Sequence, residues 1–322
     1  MKPKPVALPR PGRPERGMLP ELETLSDPQS KLNEIMRRRD ALAYELELID
    51  AELEETALES ICGHKDDTQD VELYDGTLGV SREFVDRHEP AIGQLQWLDD
   101  LAARFSGPGD SPGDVNGLRW GSGSLIAGDI FLSAGHCFDQ RGGGWRRPMR
   151  DGVIIEPAEI ATLMRVNFKY QIDGSNRQTR PGDPFPVLAL LEYRLGNLDY
   201  AIVRLDRNAA GQLPGDLYGA LELAGEDLLE RDAMLCMIQH PAGKPKRIEA
   251  GPMMQNRGGQ ISYDSLDTLG ASSGSPVIGP AGIVVGVHTN GGCSTFSGAN
   301  FGVSIGAVRS ASQVIQGMPL VS

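Results

Sequence analysis

The stretch Thr268-Leu269-Gly270-Ala271-Ser272-Ser273-Gly274-Ser275-Pro276-Val277 decides how the chain is read. Small residues fill a turn that runs straight into an apolar segment, Val277-Ile278. Gly and Ser clusters of this kind mark backbone that bends sharply or approaches something closely. A serine there can present its hydroxyl while neighbouring N–H groups converge on one spot. That is the layout of a nucleophile with an oxyanion hole. An ordinary Gly/Ser hairpin loop would read the same way, so the rest of the chain must decide.

A hydroxyl is a poor nucleophile without a base. There are five histidines: His64, His88, His136, His240 and His288. His136 ends the run Leu125-Ile126-Ala127-Gly128-Asp129-Ile130-Phe131-Leu132-Ser133-Ala134-Gly135-His136. This reads as two short apolar strands joined by a Gly-Asp turn, with the histidine just past the second. An orienting carboxylate is available in Asp199, at the mouth of the strand pattern Tyr200-Ala201-Ile202-Val203-Arg204-Leu205. An Asp in that place is also a common turn residue.

In the order His136, Asp199, Ser273 the chain resembles the chymotrypsin-like serine proteases, and among them the bacterial glutamyl endopeptidase branch. Ser133-Ala134-Gly135-His136-Cys137, Leu198-Asp199-Tyr200-Ala201 and Ser273-Gly274-Ser275-Pro276 carry the likeness, which covers about residues 62–308. It implies a mainly β, chymotrypsin-like double six-stranded antiparallel β-barrel with the cleft between the barrels. His136 and Asp199 would sit on the first barrel and Ser273 on the second. Ser273 would attack a peptide carbonyl, His136 would move the proton, and Asp199 would hold the ring. The backbone N–H groups of Ala271 and Ser273 would form the oxyanion hole. The implied substrate is a protein or peptide, and no metal or other cofactor is implied. The competing reading is a catalytically silent binding or scaffold protein on the same fold.

Two departures stand out. The family has glycine where this chain has Ala271, and alanine is less permissive, so the hole is expected to be malformed until substrate binds. Animal trypsins place an aspartate where Ser272 stands, so activation by a salt bridge to a freed N-terminus is not expected. Thr268 and His288 match the pair with which glutamyl endopeptidases take an acidic side chain, and Thr289 and Gly291 continue the same pocket wall. A partly charged imidazole would suit a carboxylate, so the preference is expected to weaken at alkaline pH. His64 and His88 are expected at the surface and His240 in a loop.

Strand patterns recur at Ala91–Trp97, 119–126, 130–134, 163–171, 186–192, 200–206, 233–239, 247–252, 259–263, 276–279, 282–288 and 299–305, with a short helix at 307–316. Upstream, the composition changes. Residues 1–26 are a Pro-rich basic tail expected to be disordered. Residues 27–61 read as an amphipathic, coiled-coil-like α-helix, with Leu32, Ile35, Leu42, Leu46, Ile49 and Leu53 on one seam and Arg39 in the skipped place. The seam over 27–60 suits homodimerisation, docking on a helical partner, or packing on the chain's own protease domain at 62–322. A net charge of −13 over 322 residues argues against nucleic acid as a partner, and no apolar run is long enough for a membrane span.

Four cysteines are present: Cys62, Cys137, Cys236 and Cys293. The secreted family members pair the cysteine after the histidine with one in the preceding strand. Here Cys137 and Cys236 lack such partners. With no signal-peptide pattern at the N-terminus, a cytoplasmic, bacterial-type enzyme with reduced thiols is expected.

Overall fold

The computed structural model describes residues 31–33, 35, 36, 38, 39, 60–142, 144–225, 229–294 and 297–318. The chain divides into two units, Met1–Ile49 and Asp50–Ser322. In the first unit the described residues are helical, with Leu32 and Ile35 half exposed. The tail at 1–26 and most of the 27–60 seam lie outside the described residues.

The second unit is built from short antiparallel strands. They are β1 (Gln69–Asp70), β2 (Ile92–Trp97), β3 (Arg119–Leu125), β4 (Ile130–Ser133), β5 (Met149–Arg150), β6 (Val153–Ile154), β7 (Met164–Phe168) and β8 (Asp183–Arg194). After these come β9 (Tyr200–Leu205), β10 (Met234–Gln239), β11 (Arg247–Arg257), β12 (Gln260–Tyr263), β13 (Pro276–Ile278), β14 (Val284–Asn290) and β15 (Asn300–Ser304). Alternation sets which face is inward. In β8, Phe185 and Val187 are buried while Pro184 and Pro186 point outward. Strand β8 starts three residues before the expected position, and β11 runs on to Arg257. The helix Arg82–His88 was not legible as one.

The first barrel closes in the order β2-β3-β4-β9-β8-β7. Its interior is aromatic: Phe168 meets Phe131 and Phe185 edge-on at 6.2 and 5.5 Å and stacks on Tyr218 at 4.9 Å. The second runs β11-β10-β13-β14-β15-β12 and closes through the β11–β12 pairing, with β1 added outside β11. Leu235, Met237, Met253, Ile261, Tyr263 and Val277 fill it. The chain closes with the helices Ile305–Ala311 and Gln313–Gln316.

Buried charge joins the barrels. Lys246, just before β11, is fully buried and donates to the Glu89 carbonyl at 2.7 Å and carboxylate at 2.9 Å. Lys169, after β7, reaches the same carboxylate at 2.8 Å. Burial pushes Glu89 up, but Lys246 and Lys169 outweigh it and hold it at about 2. The stability this gives is present above the ordinary value of 4.5 and is lost as pH falls towards 2.

Two expectations are corrected. His88 is buried, not at the surface, because its helix packs the ring against the Gly282 turn, where a Cβ would lie 2.6 Å from Nε2, and Nδ1 is satisfied by the Phe84 carbonyl at 2.6 Å. The cysteines are not all reduced: Cys62 and Cys293 form a disulfide across 231 residues, while Cys137 and Cys236 are buried free thiols. With Cys62 and Cys293 bridged, the argument for the cytoplasm from four reduced thiols loses its basis.

We expect Lys246→Met to cost about 3–5 kcal/mol, because it strands a buried carboxylate. Lys169→Met, on the half-exposed side, should cost less than about 1 kcal/mol. Urea unfolding midpoints compare the two, and equal losses would refute the role of burial. A thiol count on unreduced, denatured protein should return two free thiols, and four would mean that the bridge does not form.

Candidate active site

The register of the first barrel brings His136 and Asp199 together. Ser133 at the end of β4 pairs with Ala201 at the start of the antiparallel β9. Residues just past one strand and just before the other therefore meet at the same rim. Asp199 takes the His136 N–H on Oδ1 at 2.8 Å and lies 2.6 Å from Nδ1 through Oδ2. Gly135 makes the approach feasible: a Cβ there would lie 1.9 Å from the Arg194 carbonyl and 2.8 Å from Asp199 Oδ1.

Asp199 is 6% exposed and acts as acceptor, so in the neutral ring Nδ1 carries the proton and Nε2 keeps its lone pair. Burial alone would lower His136. The Asp199 charge, helped by Cys137, outweighs it and raises the imidazole well above 6.5.

The 268–275 loop comes from the second barrel and is held against the first by Ser122 of β3. Ser122 N–H donates to the Ser273 carbonyl at 2.9 Å, and its hydroxyl donates to the Ala271 carbonyl at 2.8 Å. The same hydroxyl accepts from His240 N–H at 3.0 Å, and the Ser122 carbonyl accepts from the Ser133 hydroxyl at 2.7 Å. Gly274 sits at φ +88°, where a Cβ would lie 2.2 Å from both the Ser122 carbonyl and Ser133 Oγ. Ser273 is thereby lodged beside the 133–137 turn that carries His136. The described hydrogen bonds include none between the Ser273 hydroxyl and His136, and such bonds are often loose without substrate.

The backbone N–H groups of this loop can be accounted for one by one. Ser272, Gly274 and Ser275 donate to the carbonyls of Leu269, His288 and Ser272. The N–H groups of Ala271 and Ser273 have no acceptor among the described residues. Ala271 adopts φ +69°, the left-handed conformation that alanine disfavours by about 1–2 kcal/mol. The Gly270 carbonyl is held by Ala242 N–H at 2.5 Å. Across a trans peptide this turns the Ala271 N–H the opposite way. Ser272 is fully buried, and its hydroxyl accepts from Leu269 N–H at 3.1 Å, closing the turn on itself.

His288 on β14 is 1% exposed and bonds through Nδ1 to the Tyr263 hydroxyl at 2.6 Å. Nε2 makes no hydrogen bond among the described residues, although the Phe301 backbone lies near enough to favour the charged ring. Burial and then His136 prevail and lower His288 to about 3. The expectation of a partly charged imidazole is corrected: the free ring is neutral, because its surroundings are too dry to hold the charge.

Thr268 is buried and pairs with Ser60 through both backbone groups at 3.0 Å, while its hydroxyl reaches the Ser60 carbonyl at 3.4 Å. Ser60 also bonds to Gly292 and Cys293, so the incoming chain lines the wall that carries Thr289 and Gly291, both buried. His240 is in the expected loop position but fully buried, with burial lowering it to about 3. Ser122, Tyr263, Ala242 and Ser60 went unnoticed in the sequence. Only the Ser/Gly alternation of Gly121-Ser122-Gly123-Ser124 hinted at a close approach.

The family model for the trypsin-like peptidase domain matches residues 121–287. The chain is 37% identical over 120 residues to secreted RxLR effector protein 73 of Plasmopara viticola, covering 33% of this chain and 27% of that protein. It is 26% identical over 152 residues to a glutamyl endopeptidase of Staphylococcus epidermidis, covering 44% of this chain and 53% of the relative. A glutamyl endopeptidase of Staphylococcus aureus (strain MW2) matches at 26% over 129 residues, or 39% of each chain. The chain thus spans about a quarter to a half of the length of these curated relatives. A solved Glu endopeptidase in complex with MPD aligns over 78% of this chain and 96% of its own, with a TM-score of 0.47 and 14% identity. By its family match and its paired six-stranded barrels, the chain belongs to the trypsin-like peptidases, with a chymotrypsin-like fold.

Proposed function

We propose that the chain is a serine endopeptidase in which Ser273 attacks the scissile carbonyl and passes through an acyl-enzyme. His136 takes the hydroxyl proton on Nε2 and returns it to the leaving amine. Asp199 fixes the tautomer and stabilises the imidazolium. The Ala271 and Ser273 N–H groups receive the developing oxyanion, a contribution of about 3–4 kcal/mol per donor. The observation that carries this reading is the doubly held His136–Asp199 pair beside a serine loop whose two N–H groups have no acceptor.

Ser273→Ala and His136→Ala should each lower kcat by about 10⁶-fold, and Asp199→Asn by about 10⁴-fold, with the fold intact by circular dichroism. The base must be neutral to accept a proton. The acid limb of kcat/KM should therefore lie above 6.5, in line with the raised His136, and should move down in Asp199→Asn. A fluorophosphonate probe should label the wild type and not Ser273→Ala. An unlabelled wild type with no peptidase activity would make the chain a silent scaffold instead.

The same reading extends to specificity for Glu, and secondarily Asp, before the cut. In the tautomer in which Tyr263 donates to Nδ1, His288 Nε2 carries the ring proton and can donate a hydrogen bond to a substrate carboxylate. The printed name of the staphylococcal relatives, glutamyl endopeptidase, points the same way. His288→Leu removes a charge-assisted hydrogen bond of about 1.5–3 kcal/mol, so the Glu-over-Gln preference should fall roughly ten- to a hundred-fold. Because the free ring is neutral above about 3, the preference should stay flat between about pH 6 and pH 9. Equal rates on matched Glu and Gln peptides would remove the acidic specificity.

A further inference from the structure

Three carboxylates meet away from the catalytic residues. One oxygen each from Asp67, Glu249 and Asp267 lies within 4.8 Å of the others. They come from separate parts of the fold: the segment that enters the domain, the start of β11, and the residue immediately before Thr268. Asp67 is exposed, whereas Glu249 and Asp267 are each 1% exposed.

Glu249 is poorly satisfied as it stands. Its Oε1 accepts the N–H of its neighbour Ala250, at 3.1 Å, and its buried Oε2 has no donor among the described residues, since the side chain it meets is the Asp67 carboxylate, itself an acceptor. A fully buried carboxylate oxygen without a donor is an exception that needs an explanation. Arg247, two residues earlier on the same face of β11, turns instead to Thr68 and Asp70. Asp267 is held in place by the N–H groups of Cys62 at 2.6 Å and Asp67 at 3.2 Å, which leaves further lone pairs on both its oxygens.

We propose that Asp67, Glu249 and Asp267 form a binding site for one divalent cation of the Ca²⁺ class. The donors are all hard carboxylate oxygens, which excludes the softer metals as the natural fit. An ion bound at about 2.3–2.6 Å can touch oxygens up to about 5 Å apart, as Ca²⁺ does, while Mg²⁺ draws its ligands to about 2.0–2.1 Å. The exposed side at Asp67 leaves room for water to complete the coordination. The ion would give Glu249 Oε2 its missing partner. It would also fasten the incoming segment to the residue preceding Thr268 and so brace that wall of the cleft. The role is structural and does not depend on the peptidase reading.

Calcium titration of the full-length protein by calorimetry, with thermal melts in CaCl₂, in EDTA and in NaCl of equal ionic strength, tests this. One Ca²⁺ per chain should bind with a Kd of about 10⁻⁴–10⁻³ M, and millimolar Ca²⁺ should raise Tm by several degrees over both controls. Glu249→Gln should abolish saturable binding and the Ca²⁺-dependent rise in Tm while leaving the melt in EDTA near that of the wild type, since it keeps the shape. Asp67→Asn, on the exposed side, should weaken binding at least about tenfold and carries the test if Glu249→Gln does not fold. No saturable Ca²⁺ binding by the wild type, or a wild-type Kd in the Asp67→Asn protein, overturns the proposal. So does a thermal shift that NaCl reproduces.

Discussion

Ser122 is the knot on which the cleft depends. It is fully buried in β3 of the first barrel, yet its N–H and hydroxyl hold the carbonyls of Ser273 and Ala271 from the second. Its carbonyl is taken by Ser133, and its hydroxyl receives His240 N–H. With four polar contacts made in a dry place, each is expensive to break. The loop cannot drift from the 133–137 turn without orphaning several groups at once. Pinning the two carbonyls also fixes which way the intervening peptides face. Ala271 tolerates a left-handed backbone because its neighbours on both sides are held by hydrogen bonds.

The barrel interface follows the same logic with charge in place of hydroxyls. Glu89 is gripped by one fully buried lysine and one half-exposed lysine, and its position before β2 ties the start of the first barrel to β11 of the second. A buried pair is a weak source of net stability compared with a well-packed apolar contact. Its value here is positional: the barrels meet in one arrangement, and the rims carrying His136 and the Ser273 loop stay in register.

Much of this was readable from the sequence because it is local. Strand patterns with turn signals located most of both barrels, and the run from Leu125 to Gly135 placed His136 at a strand end. Asp199 was chosen by its place before β9, and its pairing with His136 is a matter of antiparallel register. What stayed hidden depends on contacts between residues far apart in the chain. The Cys62–Cys293 bridge spans 231 residues. Nothing around Glu249 or Asp67 marks them as neighbours of Asp267. His88 has the sequence surroundings of a surface residue, and only the packing of its helix buries it. The charge expected on His288 failed for a related reason, since dryness is a property of the folded pocket and not of the residue.

The disulfide has a topological consequence. Among the described residues Cys62 precedes every strand, and Cys293 follows all but β15. The bond therefore converts nearly the whole double barrel into one covalent ring. A single backbone cut in any loop between residues 63 and 292 opens that ring but releases no fragment. Two cuts are needed before a piece can leave, and even then the interleaved strands must separate. A molecule of this kind can be nicked and remain whole.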